Sequence, residues 1–145
     1  MSANYKQHKD SIVKKGNIYL IPLPITALDE FRSDSYPLQN TQVINQLNYF
    51  AVENIRTARR FLKKTNRNIN IDQLHFIELN KKTTDEELST IIKILKEGDD
   101  VGVMSESGCP GIADPGQEIC KRAHEDNIRV IPLIGPSSIL MALMA

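Results

Sequence analysis

The chain has 145 residues, 41% hydrophobic and 25% charged, which suits one ordinary folded domain with its own core and excludes wholesale disorder. Lysine plus arginine and aspartate plus glutamate each total 18, so the global charge excess of a nucleic-acid binder is absent, although a local basic patch is not excluded. No apolar run approaches the ~20 residues of a membrane span, and the polar stretch 1–15 lacks the apolar core of a secretory signal.

Residues 1–15 read as a polar tail and 16–145 as one α/β domain. Residues 17–21 (NIYLI) form a short β-branched run that ends at Pro22. Residues 22–37 carry three prolines among Ser, Asp and Thr and read as an irregular loop. A helix is expected over 38–47, with Leu38, Val43, Ile44 and Leu47 on one side. A strand follows at 49–52 (YFAV), then a helix over 54–64 with Ile55, Ala58, Phe61 and Leu62 at helical spacing. The third strand is expected at 74–79. Thr84 to Glu87 (TDEE) is a capping box opening a helix that ends at Gly98. A fourth strand is expected at 100–104. Asp114 as N-cap and Pro115 at the first helical position open another helix. A fifth strand at 129–133 precedes a last helix opened by Pro136, and its run 137–145 (SSILMALMA) is almost wholly apolar.

Strand and helix alternate five times, which predicts a mainly parallel five-stranded sheet with helices on both faces. In such sheets ligands sit at the carboxyl ends of the strands. The loops at 22–28, 53–56, 105–116 and 134–138 are therefore the candidates for a site. An all-apolar final helix wants cover on every side, so a second domain is expected beyond residue 145. Cys109 and Cys120 with His8, His75 and His124 have no metal-ligand spacing, so no metal is expected. Two cysteines without an export signal fit a reducing cytoplasm; Cys120 is expected on a buried helix face.

The densest loop, 105–116 (SESGCPGIADPG), has three glycines that let a backbone approach a ligand closely, and a helix start follows it. The same loop equally suits a turn that glycine and proline merely shape. It is neither a dinucleotide fingerprint nor a phosphate-binding P-loop. Ser137 and Ser138 at the last helix start serve either as caps or as ligand contacts.

Together, residues 17–28, Glu53 to Arg56 (ENIR), 105–116 and 130–138 resemble, in order and spacing, the tetrapyrrole methylase superfamily of S-adenosylmethionine-dependent methyltransferases. The nearest branch methylates ribose 2′-hydroxyls of ribosomal RNA. Its motifs read T-P-I-G-N-L, E-D-T-R, S-D-A-G-T-P-x-I-x-D-P-G and P-G-P. This chain departs from them at Thr26-Ala27, at Asn54-Ile55, at Glu106-Ser107, at Cys109 and at Ile134. The resemblance covers nearly all of 17–145 and implies the first of two α/β domains, a cofactor held in the cleft between them, and a homodimer. It assigns the cofactor to Pro24, Ile25, Ser107, Gly108, Cys109, Ile112, Ser137 and Ser138. Gly108→Val is expected to block the cofactor by crowding, with the fold intact.

In-line methyl transfer needs positioning and exclusion of water rather than a metal. A ribose hydroxyl acceptor would also lose a proton, and Glu53 and Glu106 are the only acids in the motif loops available as base. Glu53 equally suits an ion pair with Arg56. Between Arg56 and Arg67, the residues Arg56, Arg59, Arg60, Lys63, Lys64 and Arg67 are accompanied by no acid, a candidate RNA-phosphate stripe or a solvated helix face. The alternatives to ribosomal RNA as partner are a tetrapyrrole or a protein side chain, or a non-catalytic cofactor-binding or assembly module.

Overall fold

The computed structural model describes residues 13–112 and 116–145. Its elements run β1 (Ile18–Leu20), α1 (Leu38–Ile44), β2 (Tyr49–Val52), α2 (Ile55–Thr65), β3 (His75–Glu78), α3 (Asp85–Lys96), β4 (Val101–Met104), α4 (Gly116–Glu125), β5 (Val130–Pro132) and α5 (Ser138–Met144). The five strands form one sheet in the order β3-β2-β4-β1-β5. Every pair is parallel. The α/β class with a parallel sheet is as expected, and strand limits fall within a residue or so of those read from the sequence.

The order explains how the two faces are covered. From β1 through β2 to β3 the chain steps one way across the sheet; from β3 through β4 to β5 it steps back. Right-handed crossovers then put α1 and α2 on one face and α3 and α4 on the other. Two separate cores match this division. Ile44 of α1 and Ala58, Phe61 and Leu62 of α2 pack with Phe50 and Val52 of the sheet. Leu88, Ile91 and Leu95 of α3 and Ile119 and Ala123 of α4 pack with Ile18, Ala51, Val101 and Val103. Within β2, Phe50 and Val52 therefore point one way and Ala51 the other, as the two-residue period of a strand requires. Phe50 and Phe61 are fully buried, each stabilising by about 1.5–3 kcal/mol. Gly102 makes room for this packing: a Cβ there would lie 2.7 Å from Ile21 Cδ1 and 2.9 Å from Leu47 Cδ1.

Three local expectations are corrected. The helix from Leu38 stops at Ile44, and Leu38 itself is exposed while Asn40 is buried. Asn40 Nδ2 donates to the Ile134 carbonyl at 2.7 Å, so a polar residue holds the inward position by tying α1 to the loop after β5. The loop at 22–37 contains two 3-10 turns, Leu28–Glu30 and Ser33–Ser35. Cys120 is half-buried rather than buried. The proposed N-cap Asp114 and Pro115 lie outside the described residues.

Candidate functional site

Strands β1 and β4 are neighbours, yet the helices that follow them lie on opposite faces, so their outgoing loops diverge and open a crevice between them. The crevice floor is tied. Leu23 N donates to Gly108 O at 2.9 Å, and Gly108 N donates to Leu23 O at 3.0 Å. Leu23 is fully buried in the α1–α2 core, which fixes the first loop and leaves Pro24 half-buried and Ile25 and Thr26 turned outward. Beneath the same loop, the buried Tyr36 hydroxyl donates to Pro22 O at 2.8 Å. Burial pushes the Tyr36 hydroxyl well above its ordinary pKa, so it stays a donor.

The loop after β4 touches both of its neighbours. Ser107 Oγ donates to Pro24 O at 3.3 Å. The Cys109 thiol donates to Pro136 O at 3.2 Å. Ser105, buried, turns the loop by donating to Ser107 O at 3.0 Å. The third loop lies against the first, since a Cβ on Gly135 would collide with the Pro22 ring. Ile112 stands exposed beyond the glycine turn. Ser137 is the N-cap of α5, accepting from Leu140 N at 3.4 Å, and Ser138 is the exposed first residue of that helix. Pro24, Ile25, Ser107, Gly108, Cys109, Ser137 and Ser138 are thus carried by three interconnected loops at one end of the sheet. Beside them a cavity of about 310 Å³ is lined by Pro24, Ile25, Thr26, Phe31, Arg32 and Pro136, among others.

The departures from the family motifs are locally accommodated. Asn54 caps α2, accepting from Thr57 N at 3.0 Å, a task that aspartate performs equally well. Among the described residues the only non-glycine with positive φ is Asn127, so Thr26 and Ala27 sit in a backbone that does not require glycine. Burial raises the Cys109 thiol, which keeps it protonated and a poor nucleophile.

Glu53 does not pair with Arg56. Its Oε2 accepts from Glu106 N at 2.9 Å, joining the loop after β2 to the loop after β4. The Glu106 side chain is exposed. Arg56, Arg59, Arg60, Lys63 and Lys64 are all exposed on α2. Arg59 pairs with Asp72 at 3.1 Å and Arg60 with Asp29 at 3.2 Å. Lys63 Nζ donates to Ile69 O at 2.6 Å. The sequence carried no sign of these partners, nor of the bond between Glu53 and Glu106, because each depends on segments that meet only in the fold. Among the described residues no group of three or more His, Cys, Asp and Glu side chains could hold a metal, and no helix is long and apolar enough to cross a membrane.

No family model matches the chain. It is 31% identical over 137 residues to a ribosomal RNA small subunit methyltransferase I of Buchnera aphidicola, an alignment covering 94% of this chain and 44% of the relative. The protein of the same name in Escherichia coli O157:H7 is 29% identical over 140 residues, covering 97% and 46%. That of Halalkalibacterium halodurans is 30% identical over 144 residues, covering 98% and 44%. The chain therefore spans less than half the length of the curated relatives it matches. Along nearly its whole length the chain is similar to proteins named ribosomal RNA small subunit methyltransferase I.

Proposed function

We propose that this chain forms the S-adenosylmethionine-binding part of a cytoplasmic methyltransferase that acts on ribosomal RNA. The observation that carries the reading is the meeting of the three motif loops at the switch point of the sheet, in a chain whose relatives are named ribosomal RNA methyltransferases. The residues present suit such a cofactor. Ile25 and Ile112 offer apolar surface to an adenosine. Gly108 takes a φ of +72°, the turn that sets this loop beside Ile25 and Pro136. Backbone groups of 107–109 and the hydroxyls of Ser137 and Ser138 supply polar contacts. The cofactor, when bound, supplies an activated methyl group on a sulfonium.

The chain's own contribution is alignment and exclusion of water. The Leu23–Gly108 pairing and the contacts of Ser107 and Cys109 hold the three loops in register before any ligand arrives. Glu53 is a positioning residue in this scheme, since its carboxylate holds the Glu106 amide. Glu106, exposed beside the slot, is then the group placed to accept a proton from a ribose hydroxyl.

The test is a titration of S-adenosylhomocysteine followed through backbone amide chemical shifts. Saturable shifts at Ser107, Gly108, Cys109, Ser137 and Ser138 are expected. No response of these amides at millimolar ligand, in a folded chain, removes the loops from the site and the reading with them.

A further inference from the structure

The basic stripe of α2 is not a bare solvated face. It lines a groove of about 760 Å³ together with Asp29, Phe31 and Ser33 from one segment and Asn70, Ile71 and Asp72 from another. Arg59, Arg60, Lys63, Lys64 and Arg67 line the groove; Arg56 does not. Among the described residues the only acids lining it are Asp29 and Asp72, and these are the partners of Arg60 and Arg59. Both carboxylates are largely exposed, at 82% and 89%. Five cations thus face two carboxylates, and the pairs they form are of the exposed kind that an incoming anion exchanges at little cost. Phe31 lines both this groove and the 310 Å³ cavity beside the cofactor loops, so the two share a lining residue.

We infer that this groove is a track for the phosphate backbone of single-stranded RNA, in which Asp29 and Asp72 stand in for phosphates until the strand displaces them. The inference rests on the reading of RNA as the substrate. Guanidinium forks that already hold carboxylates are preset for the oxygens of a phosphodiester. Successive cations at three- and four-residue spacing lie along one helix face, as a polyanion needs. An acidic peptide would look for apolar anchors, and the apolar residues here are the buried Ile71 and the half-buried Phe31, which is packed against Tyr36 and Phe61.

The test is fluorescence anisotropy of a labelled uridine oligonucleotide with the whole chain, from about 50 to about 200 mM salt. Lys63 is left intact because it holds the Ile69 carbonyl. Combining Arg60→Glu, Lys64→Glu and Arg67→Glu is expected to weaken binding by at least about tenfold and to flatten the logarithmic salt slope by about 0.7 per lost contact. The charge-matched set Lys81→Glu, Lys82→Glu and Lys121→Glu, away from the groove, should change it far less. Asp29→Asn and Asp72→Asn should each tighten binding roughly two- to fivefold, whereas Glu86→Gln on α3 should not. The inference is overturned by equal effects of the two triple sets, by equal effects of Asp29→Asn and Glu86→Gln, or by no oligonucleotide binding at low salt. Equal competition by polyglutamate overturns the assignment to RNA. Response of the cofactor loops to S-adenosylhomocysteine without any groove effect defeats the track alone. A working track with silent cofactor loops defeats the methyltransferase reading alone.

Discussion

At Gly108 the backbone φ is +72°, a conformation that a β-branched side chain hardly adopts. Crowding is not the difficulty, because the nearest atoms to a Cβ there are at ordinary contact distance, 3.5 Å and 3.6 Å. The expectation that Gly108→Val acts by filling the slot with the fold intact is thus replaced by one of backbone strain. Relaxing that strain means breaking the paired hydrogen bonds between Leu23 and Gly108 that tie the first two loops. Gly108→Val is expected to lower stability in urea by on the order of 2 kcal/mol, with Gly108→Asn, a residue that tolerates this region, losing much less. Equal stability of the valine variant and the wild type would show that the loop does not hold this conformation. The glycine itself was conspicuous in the sequence. Its conformation, and the contacts of its neighbours with Pro24 and Pro136, were not, because they come from loops 83 and 27 residues away.

Helix α3 and helix α1 show where local sequence is sufficient and where it fails. For α3 the start signal is self-contained: Thr84 Oγ1 accepts from Glu87 N at 3.3 Å and Glu87 Oε2 accepts from Thr84 N at 2.7 Å. Both members lie within four residues, so the capping box was legible; the helix it opens buries Leu88, Ile91, Ile92 and Leu95. Thr84→Ala should cost about 1 kcal/mol of unfolding free energy while Thr84→Ser costs little. Matching urea midpoints for the alanine and serine variants would mean that the cap adds nothing. For α1, apolar spacing pointed to Leu38 as a core position, yet Leu38 is exposed and Asn40 is buried. The deciding contact, Asn40 to the Ile134 carbonyl, spans 94 residues. Strand order is hidden for the same reason. Alternation of strand and helix specifies a parallel sheet, but nothing in short apolar runs says that β4 lies between β1 and β2. That insertion is what brings Glu53 to the Glu106 amide.

Across the described residues, the two faces of the sheet are closed by four helices and the fifth is left outside both cores. None of the residues of α5 is buried, and Ile139, Leu140, Met141, Leu143 and Met144 are each more than half exposed. Ile134, in the loop before the helix, is also 77% exposed. A contiguous surface of this kind on a chain with balanced charge favours association, because no net repulsion opposes it. The chain by itself is therefore expected to self-associate as its concentration rises, and sedimentation velocity reads this directly. Leu140→Glu with Leu143→Glu should abolish the larger species. Stability should change by no more than about 0.5 kcal/mol, since neither side chain contributes to a core. A wild-type chain that stays monomeric at high concentration would show that α5 covers itself in solution. A doubly substituted chain that unfolds would show that this helix packs on the domain after all. Either result would also move Ser137 and Ser138, which begin α5, relative to the other two loops, so the position of this one helix bears directly on the geometry of the proposed cofactor site.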